Sequence, residues 1–234
     1  MPVALIIGAG AKVGQASAET FAAAGYKVAV ASRTQRLDST KFPFFKFDAA
    51  EPDQVSILFE KVHKKVGIPD VVIYNAYASA PANGSVSFDF ATAEEFHKRM
   101  NVNATTPTIV AHEATKGFLK LESEGKLGPG GATYLFTGNA LNEKTAPGFF
   151  SLGVGKTASA YVIEHLALHG YNDNPFSYYF IDEREPNGTP MYHGVNGDAH
   201  ADVFLQLAQD PKQRPWQYTF SKKEGYAVFS KDWA

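Results

Sequence analysis

The chain has 234 residues, of which 44% are hydrophobic and 20% charged, with a formal net charge of −2 and no cysteine. The absence of cysteine excludes disulfides, thiolate nucleophiles and cysteine-held metal sites. The near-neutral charge argues against nucleic acid or an anionic membrane as partner, and no apolar stretch approaches the roughly 20 residues that a membrane helix needs. We expect one soluble, cytoplasmic domain over 1–234 that acts on a small molecule.

Short apolar runs alternate with longer helical patterns along the chain. The predicted strands cover 3–7, 27–31, 44–47, 71–74, 132–136 and 176–181. The predicted helices cover 13–24, 52–66, 92–121, 154–169 and 199–208, with short β-like runs over 218–229. The alternation predicts an α/β fold in which a parallel sheet carries helices on both faces. The polar segment 182–198 is rich in Pro and Gly, and we expect it to be a mobile loop at the carboxyl edge of that sheet.

Three glycines, Gly8, Gly10 and Gly14, lie between the first predicted strand and the first predicted helix. Glycine at such a junction lets the backbone approach a pyrophosphate, while the helix N-terminus offers N–H donors. The spacing is one residue longer than the common dinucleotide fingerprint, and a purely structural turn is the alternative. The strand–turn–helix context favours a dinucleotide site.

Cofactor choice is indicated by Ser32 and Arg33, which follow the second predicted strand. NAD enzymes usually carry an acidic residue here to hold the ribose 2′-hydroxyl, whereas arginine suits a 2′-phosphate. Lys12, inside the glycine turn, adds positive charge. Although both cations could be ordinary surface residues, the pattern favours NADP(H) over NAD(H).

Several segments, in order, resemble the short-chain dehydrogenase/reductase family over residues 3 to 220. Its turn reads G-x-x-x-G-x-G, so that Gly8 and Gly14 match the ends while Lys12 replaces the middle glycine. The resemblance implies a Rossmann-like, doubly wound α/β/α fold. Further matching residues are Asp48 and Ala49 near the adenine, Asn75-Ala76-Tyr77 for the family's Asn-Ala-Gly, and Asn103 for its catalytic-helix asparagine.

The resemblance also implies a catalytic Tyr-x-x-x-Lys pair, with a serine about 13 residues before the tyrosine. Lys156 matches the lysine, which in the family binds the nicotinamide ribose, but Leu152 stands at the tyrosine and Asn139 at the serine. The chain therefore resembles a divergent branch that lacks both residues. Leucine cannot transfer a proton, whereas Asn139 can donate a hydrogen bond to a carbonyl oxygen. The expected catalytic residues are Asn103, Asn139 and Lys156.

After the sixth strand the family has Pro-Gly and then a threonine that meets the nicotinamide carboxamide. This chain has Asp182, Glu183 and Arg184 instead, and we assign the threonine's role to Thr189. The expected cofactor residues are Gly8, Gly10, Lys12, Val13, Gly14, Ser32, Arg33, Asp48, Ala49, Asn75, Ala76, Tyr77, Lys156 and Thr189.

Two other patterns in the sequence resemble functional motifs, but we assign no function to them. Tyr218 and Lys222 spell Tyr-x-x-x-Lys, but in a strand positions i and i+4 lie roughly 13 Å apart, too far for the lysine to act on the tyrosine. His165 and His169 share a helix face, but zinc needs at least one further ligand. We expect surface histidines and no metal.

Two functions remain open. The first is NADPH-dependent reduction of a carbonyl or enone, with the substrate held by Asn139 or Thr137 and a non-standard proton source. The second keeps the cofactor site without redox activity, as a sensor or an isomerase or cyclase. Loss of the tyrosine favours the second, whereas retention of Asn103 and Lys156 favours the first, which we adopt. The candidate proton sources are Tyr77, Ser151, Tyr192, His193 and water relayed by Asn103 and Lys156.

Assembly is a further expectation from the resemblance. Members of the family usually pair through the helices that correspond to 92–121 and 154–169. We therefore expect a homodimer or homotetramer built on a two-fold axis.

Overall fold

A single eight-stranded sheet forms the centre of the computed structural model, which describes residues 1–80, 88–191 and 194–229. The strands are β1 (Val3–Ile7), β2 (Lys27–Ser32), β3 (Phe44–Lys46), β4 (Val71–Tyr74), β5 (Ala132–Thr137), β6 (Phe176–Glu183), β7 (Gln217–Ser221) and β8 (Gly225–Tyr226). Their order is β3-β2-β1-β4-β5-β6-β7-β8, and every neighbouring pair is parallel except β7 and β8. The direction of the strand order reverses between β1 and β4, the place where such sheets bind ligands.

In the described parts of the chain, six α-helices accompany these strands. They are α1 (Val13–Ala23), α2 (Gln54–Lys65), α3 (Ala93–Met100), α4 (Thr106–Ser123), α5 (Phe150–His165) and α6 (Gly197–Gln209). A π-helical turn, Asn101–Thr105, joins α3 to α4, and a second one, Leu166–Gly170, extends α5. A short 3₁₀ turn, Ala140–Asn142, follows β5.

The helices cover both faces of the sheet and make two apolar cores. One core joins α2, α4 and α5 to alternate strand residues such as Leu5 and Phe180. The other joins α1 and α6 to the strand residues that point to the opposite face of the sheet, such as Ile6 and Ile181. Strands buried on both faces read as continuous apolar runs, which is why β1 and β6 were visible in the sequence. The predicted Rossmann-like, three-layer α/β/α fold is confirmed.

The helix that carries Lys156 begins earlier than predicted. The sequence placed its start at 154, whereas α5 begins at Phe150. Gly153 and Gly155 conceal the helical pattern, because glycine is a poor helix former. The earlier start puts Leu152 inside the helix, one full turn before Lys156.

The segment 182–198 is also more regular than predicted. β6 runs on to Glu183, and α6 begins at Gly197. Between them, Arg184 pairs with Pro190 in an antiparallel bridge. The charged residues after Ile181 looked like loop in the sequence, but ion pairs allow them to continue a buried strand.

The described helices differ from membrane-spanning helices in length and apolar character. None of them in residues 1–80, 88–191 and 194–229 combines the length and the apolar character that a bilayer crossing requires.

Candidate active site

The glycine turn between β1 and α1 depends on the absence of side chains. Gly8 has φ +88°, and a Cβ there would lie 2.4 Å from the backbone nitrogen of Ala76. A Cβ on Gly14 would lie 2.6 Å from Ala9 Cα, whereas one on Gly10 would meet nothing within 4 Å. Gly8 and Gly14 therefore allow backbone to pack against backbone, while Gly10 leaves open space above the turn. α1 then begins at Val13 with no side-chain cap on its first turn.

Asn75, directly after β4, ties this turn to the middle of the sheet. Its Nδ2 donates to the Gly8 carbonyl at 2.9 Å, and its Oδ1 accepts from Thr137 Oγ1 at 2.9 Å. Lys156 Nζ then donates to the Thr137 carbonyl at 2.6 Å. A continuous hydrogen-bond chain thus runs from the glycine turn to Lys156. Thr137, one of the expected substrate holders, uses its hydroxyl proton in this chain.

The remaining expected cofactor residues lie at the same edge of the sheet. Arg33 follows the end of β2 and is exposed, as is Lys12 in the glycine turn. Ser32 Oγ donates to the Thr34 carbonyl at 2.7 Å. Asp48 Oδ1 accepts from the Ala50 nitrogen at 3.0 Å, and so shapes the turn that follows β3.

Three further expected residues, Ala49, Ala76 and Tyr77, lie at this edge. The Ala49 carbonyl accepts from Thr106 Oγ1 at 2.8 Å, which fixes the turn after β3 against α4. Ala76 is half-buried after β4, and Tyr77 next to it is 68% exposed.

Asn103 lies in the first π-helical turn and is fully buried. Its side chain bonds twice to Ala78, with Oδ1 accepting from the nitrogen at 3.0 Å and Nδ2 donating to the carbonyl at 2.7 Å. Its own carbonyl accepts from Ser159 Oγ at 2.7 Å. At Gly155, a Cβ would lie 2.4 Å from Asn103 Cβ, so that α5 must approach closely here. Asn103 therefore holds α5 against the segment after β4, and its partners Gly155 and Ser159 could not be recognised from residue pattern alone.

Lys156 and Leu152 occupy successive turns of α5, and both are buried, at 4% and 5% exposed. The Lys156 ammonium lies 4.3 Å from the centre of the Phe136 ring. Burial lowers the pKa of Lys156 to about 7, and the negative charge of Asp182 opposes that shift. The result is a buried amine that changes its charge near neutral pH, next to an apolar side chain that carries no exchangeable proton.

Asn139 follows β5 and begins the 3₁₀ turn. Its Oδ1 accepts from the Leu141 nitrogen at 3.1 Å. Within the described parts of the chain no acceptor is bonded to its Nδ2, so that this amide remains a donor for a ligand. The role of Asn139 as a donor to a substrate oxygen stays a prediction.

Ser151, a candidate proton source, is engaged elsewhere. It is fully buried, and its backbone nitrogen and Oγ both donate to the buried carboxylate of Asp89. Asp89 also lies 3.5 Å from Arg99 Nη1. This cluster fixes the start of α5 against the segment before α3. Two other candidates, Tyr192 and His193, lie outside the described residues.

Thr189 lies in the turn that follows β6. Its hydroxyl donates to Asn187 Oδ1 at 2.8 Å, and its carbonyl accepts from the Glu185 nitrogen at 2.9 Å. The hydroxyl therefore stabilises its own turn.

The two patterns to which no function was assigned lie apart from Lys156 in the fold. Tyr218 is buried in β7 in the core under α1 and α6, while Lys222 is exposed after the strand ends. His165 and His169 are exposed at the end of α5, with ring centres 5.8 Å apart. Over the described residues, no group of three or more His, Asp or Glu side chains is placed to hold a metal ion.

Known proteins resemble the chain in sequence as well as in fold. A family model for short chain dehydrogenases matches residues 2–127. The short chain dehydrogenase/reductase dmxR12 of Cryptosporiopsis sp. (strain 8999) is 35% identical over 99% of this chain and 96% of its own length.

Among solved structures, a metagenomic short-chain oxidoreductase in complex with NADP matches with a TM-score of 0.76 at 14% identity, covering 94% of this chain and 96% of that one. A 3-ketoacyl-(acyl-carrier-protein) reductase from Brucella melitensis, complexed with NADH, matches with a TM-score of 0.78 at 18% identity, covering 94% and 97%. At such identities the likeness shows the fold. One of these structures holds NADP and the other NADH.

Proposed function

The chain belongs to the short-chain dehydrogenase/reductase family, and we propose that it is an NADP(H)-dependent oxidoreductase that reduces a carbonyl or an enone. The observation that carries the proposal is the hydrogen-bond chain from Gly8 through Asn75 and Thr137 to Lys156. It connects the turn suited to a pyrophosphate with the lysine suited to a ribose. The whole chain, 1–234, would form one dinucleotide-binding domain.

The residues present fit a dinucleotide. The open space at Gly10 and the uncapped start of α1 at Val13 would receive the pyrophosphate. Arg33 and Lys12 would meet a 2′-phosphate, and Lys156 the nicotinamide ribose. The cofactor, when bound, supplies the hydride; the protein supplies binding, orientation and electrostatics.

On the substrate side, Asn139 Nδ2 would donate a hydrogen bond to the carbonyl oxygen. Leu152 would present an apolar wall where the family has its proton donor. Ser151 is held by Asp89, so we propose water beside the Lys156 ammonium as the proton carrier, with Tyr77 as the alternative. Asn103 would act by positioning α5, since its carbonyl accepts from Ser159 on that helix while its amide is bonded to Ala78.

Arg33→Ala tests the cofactor assignment. We expect NADPH binding to weaken by about 1 to 3 kcal/mol, the scale of a lost charge-assisted hydrogen bond, while NADH binding barely changes. Lys27→Ala is the matched control, because Lys27 is an exposed cation at the opposite end of the same strand. Fluorescence titration of both cofactors against the three proteins measures this. Equal affinities of the wild type for NADPH and NADH would contradict the assignment.

A second candidate function is favoured by the buried Leu152. A protein that keeps the dinucleotide site but carries no proton donor could act as a sensor, or as an isomerase or cyclase. Such a protein would bind NADPH without oxidising it in the presence of carbonyls or enones. The Leu152 variants described in the Discussion separate this function from the first.

We also propose a homodimer or homotetramer built on the faces of α4 and α5. Exposed apolar side chains follow one stripe of α5 and its extension, with Val154 at 38%, Tyr161 at 71% and Leu168 at 46%, and Leu119 on α4 is 39% exposed. Burial of such a stripe against a second copy would stabilise a two-fold assembly.

Tyr161→Glu tests this assembly. We expect the variant to dissociate at a concentration at least about tenfold higher than the wild type, since a charge would be buried in the interface. Ile57→Glu is the control, because Ile57 is a comparably exposed apolar residue on α2. Light scattering over a dilution series measures both. A monomeric wild type at micromolar concentration would rule the assembly out.

A further inference from the structure

The carboxyl end of β6 carries three consecutive charged side chains that are almost fully buried. Asp182, Glu183 and Arg184 are 2%, 4% and 1% exposed. A buried charge is strongly destabilising unless it is paired and hydrogen-bonded. Each of these side chains has a hydrogen-bond partner, although Glu183 Oε1 has none, and the alternation of the strand assigns them to two networks.

The first network lies on the α6 side of the sheet. Glu183 Oε2 accepts from the Asn196 nitrogen at 2.8 Å and lies 3.3 Å from His200 Nδ1. It connects β6 with the start of α6. Ile181, two residues earlier, lies in the core under the same helices.

The second network lies on the α5 side, where Phe180 packs. Arg184 Nε donates to Asp182 Oδ2 at 2.5 Å, and its Nη2 donates to Glu143 Oε2 at 3.0 Å. Its Nη1 donates to the Gly188 carbonyl at 3.1 Å. The guanidinium therefore holds the Asp182 carboxylate in place from one side.

Lys156 reaches the same place from α5. Its Nζ is bonded to the carbonyl of Thr137, and Thr137 pairs in the sheet with Ile181, the residue before Asp182. The charge of Asp182 influences the pKa of Lys156. The pKa of Asp182 is in turn influenced by Arg184, Glu143 and His200. Burial raises the pKa of Asp182 to about 6, and Arg184 opposes that rise.

We propose that Asp182 is a positioning residue that supplies the counter-charge of Lys156, and that Arg184 and Glu143 fix its carboxylate. The inference rests on the proposed function, because Lys156 in its charged form keeps two N–H donors for the ribose after bonding to Thr137.

The direct test uses the protein without cofactor. In protein labelled with [¹³C]lysine, the Cε signal of Lys156 is assigned by its loss in Lys156→Met and followed through a pH titration. We expect Asp182→Asn to move the midpoint down by about one pH unit or more, since an opposite charge has been removed. Asp182→Glu should restore part of the shift. A midpoint that Asp182→Asn leaves in place would overturn the proposal.

Glu183→Gln is the matched control. It removes an equally buried carboxylate from the neighbouring position of β6, but on the side of the sheet that faces α6. We expect it to leave the Lys156 midpoint unchanged. A shift as large as that of Asp182→Asn would overturn the proposal, because the effect would then be general to buried carboxylates.

A measurement on the wild type covers the case in which Asp182→Asn does not fold. The carboxyl carbon of Asp182 and Cε of Lys156 should titrate in shared macroscopic steps, as interacting groups do. Two independent single steps would overturn the proposal.

Cofactor binding separates this inference from the function on which it rests. We compare the NADP⁺ dissociation constant of Asp182→Asn with that of the wild type as a ratio. Between pH 5.5 and 8 this ratio should rise toward about tenfold, because Lys156 loses its proton at a lower pH in the variant than in the wild type. A ratio independent of pH would overturn the role of the counter-charge in binding. If the wild type bound no dinucleotide, the proposed function would fail, and the lysine titration would still decide whether Asp182 is the counter-charge.

Discussion

Gly10→Ala is expected to weaken NADP(H) binding at least about tenfold while leaving the melting temperature unchanged. The new methyl group meets no protein atom within 4 Å, so the folded protein should accept it. The same methyl group would occupy the space through which a pyrophosphate approaches the turn. Fluorescence titration and thermal unfolding of the one variant measure both effects.

Gly14→Ala is the matched control in the same turn. Its Cβ would lie 2.6 Å from Ala9 Cα, a backbone atom that cannot relieve the clash by changing a side-chain rotamer. We expect this variant to lose about 3 kcal/mol of unfolding free energy, the upper range of an overpacked core. If Gly10→Ala bound the cofactor as the wild type does, the proposed site at this turn would be wrong.

Leu152→Tyr is expected to create or raise reductase activity on simple carbonyls by about 10²-fold, the lower range for a positioned general acid. Residues i and i+4 share a helix face, so the new hydroxyl would lie beside Lys156. The pH profile of the rate should acquire the step of a lysine-tuned tyrosine, which the wild type lacks. Steady-state oxidation of NADPH across a pH series measures it.

Leu152→Phe is the control, because it adds the ring without the hydroxyl and should produce no gain. Adding Lys156→Ala to Leu152→Tyr should remove the gain and weaken cofactor binding as well. A wild type that already oxidises NADPH with a carbonyl or enone would support a working reductase with another proton source. A wild type that is inactive until Leu152→Tyr is introduced would support the cofactor-binding protein without redox activity.

The architecture could be predicted from the sequence because its signals are local. β1 and β4 are short apolar runs between turn residues, and each was predicted within its observed bounds. Arg33 was recognised as a candidate from its place at the end of β2. These signals depend on neighbours in the chain, and a parallel α/β fold repeats them from strand to helix to strand.

The conformation around the candidate site could not be predicted, because its contacts join residues far apart in the chain. Thr137 bonds to Asn75 and Ser151 to Asp89, each across 62 residues. Both hydroxyls looked available in the sequence, and only the fold shows that they are engaged. The π-helical turn at 101–105 also depends on the residues that pack against it, and the residue types in this segment do not predict it.

The sequence by itself determined that this chain is a doubly wound α/β protein with a glycine turn, a lysine at 156 and no tyrosine one turn before it. Those properties follow from apolar periodicity and from residue identity, which do not depend on contacts with distant residues. The tertiary structure alone decided that the charged residues after Ile181 continue β6 as buried ion pairs. A buried charge is tolerated only when it is paired or hydrogen-bonded, and the partners come from other elements of the fold: Glu143 reaches Arg184, and the Asn196 nitrogen reaches Glu183.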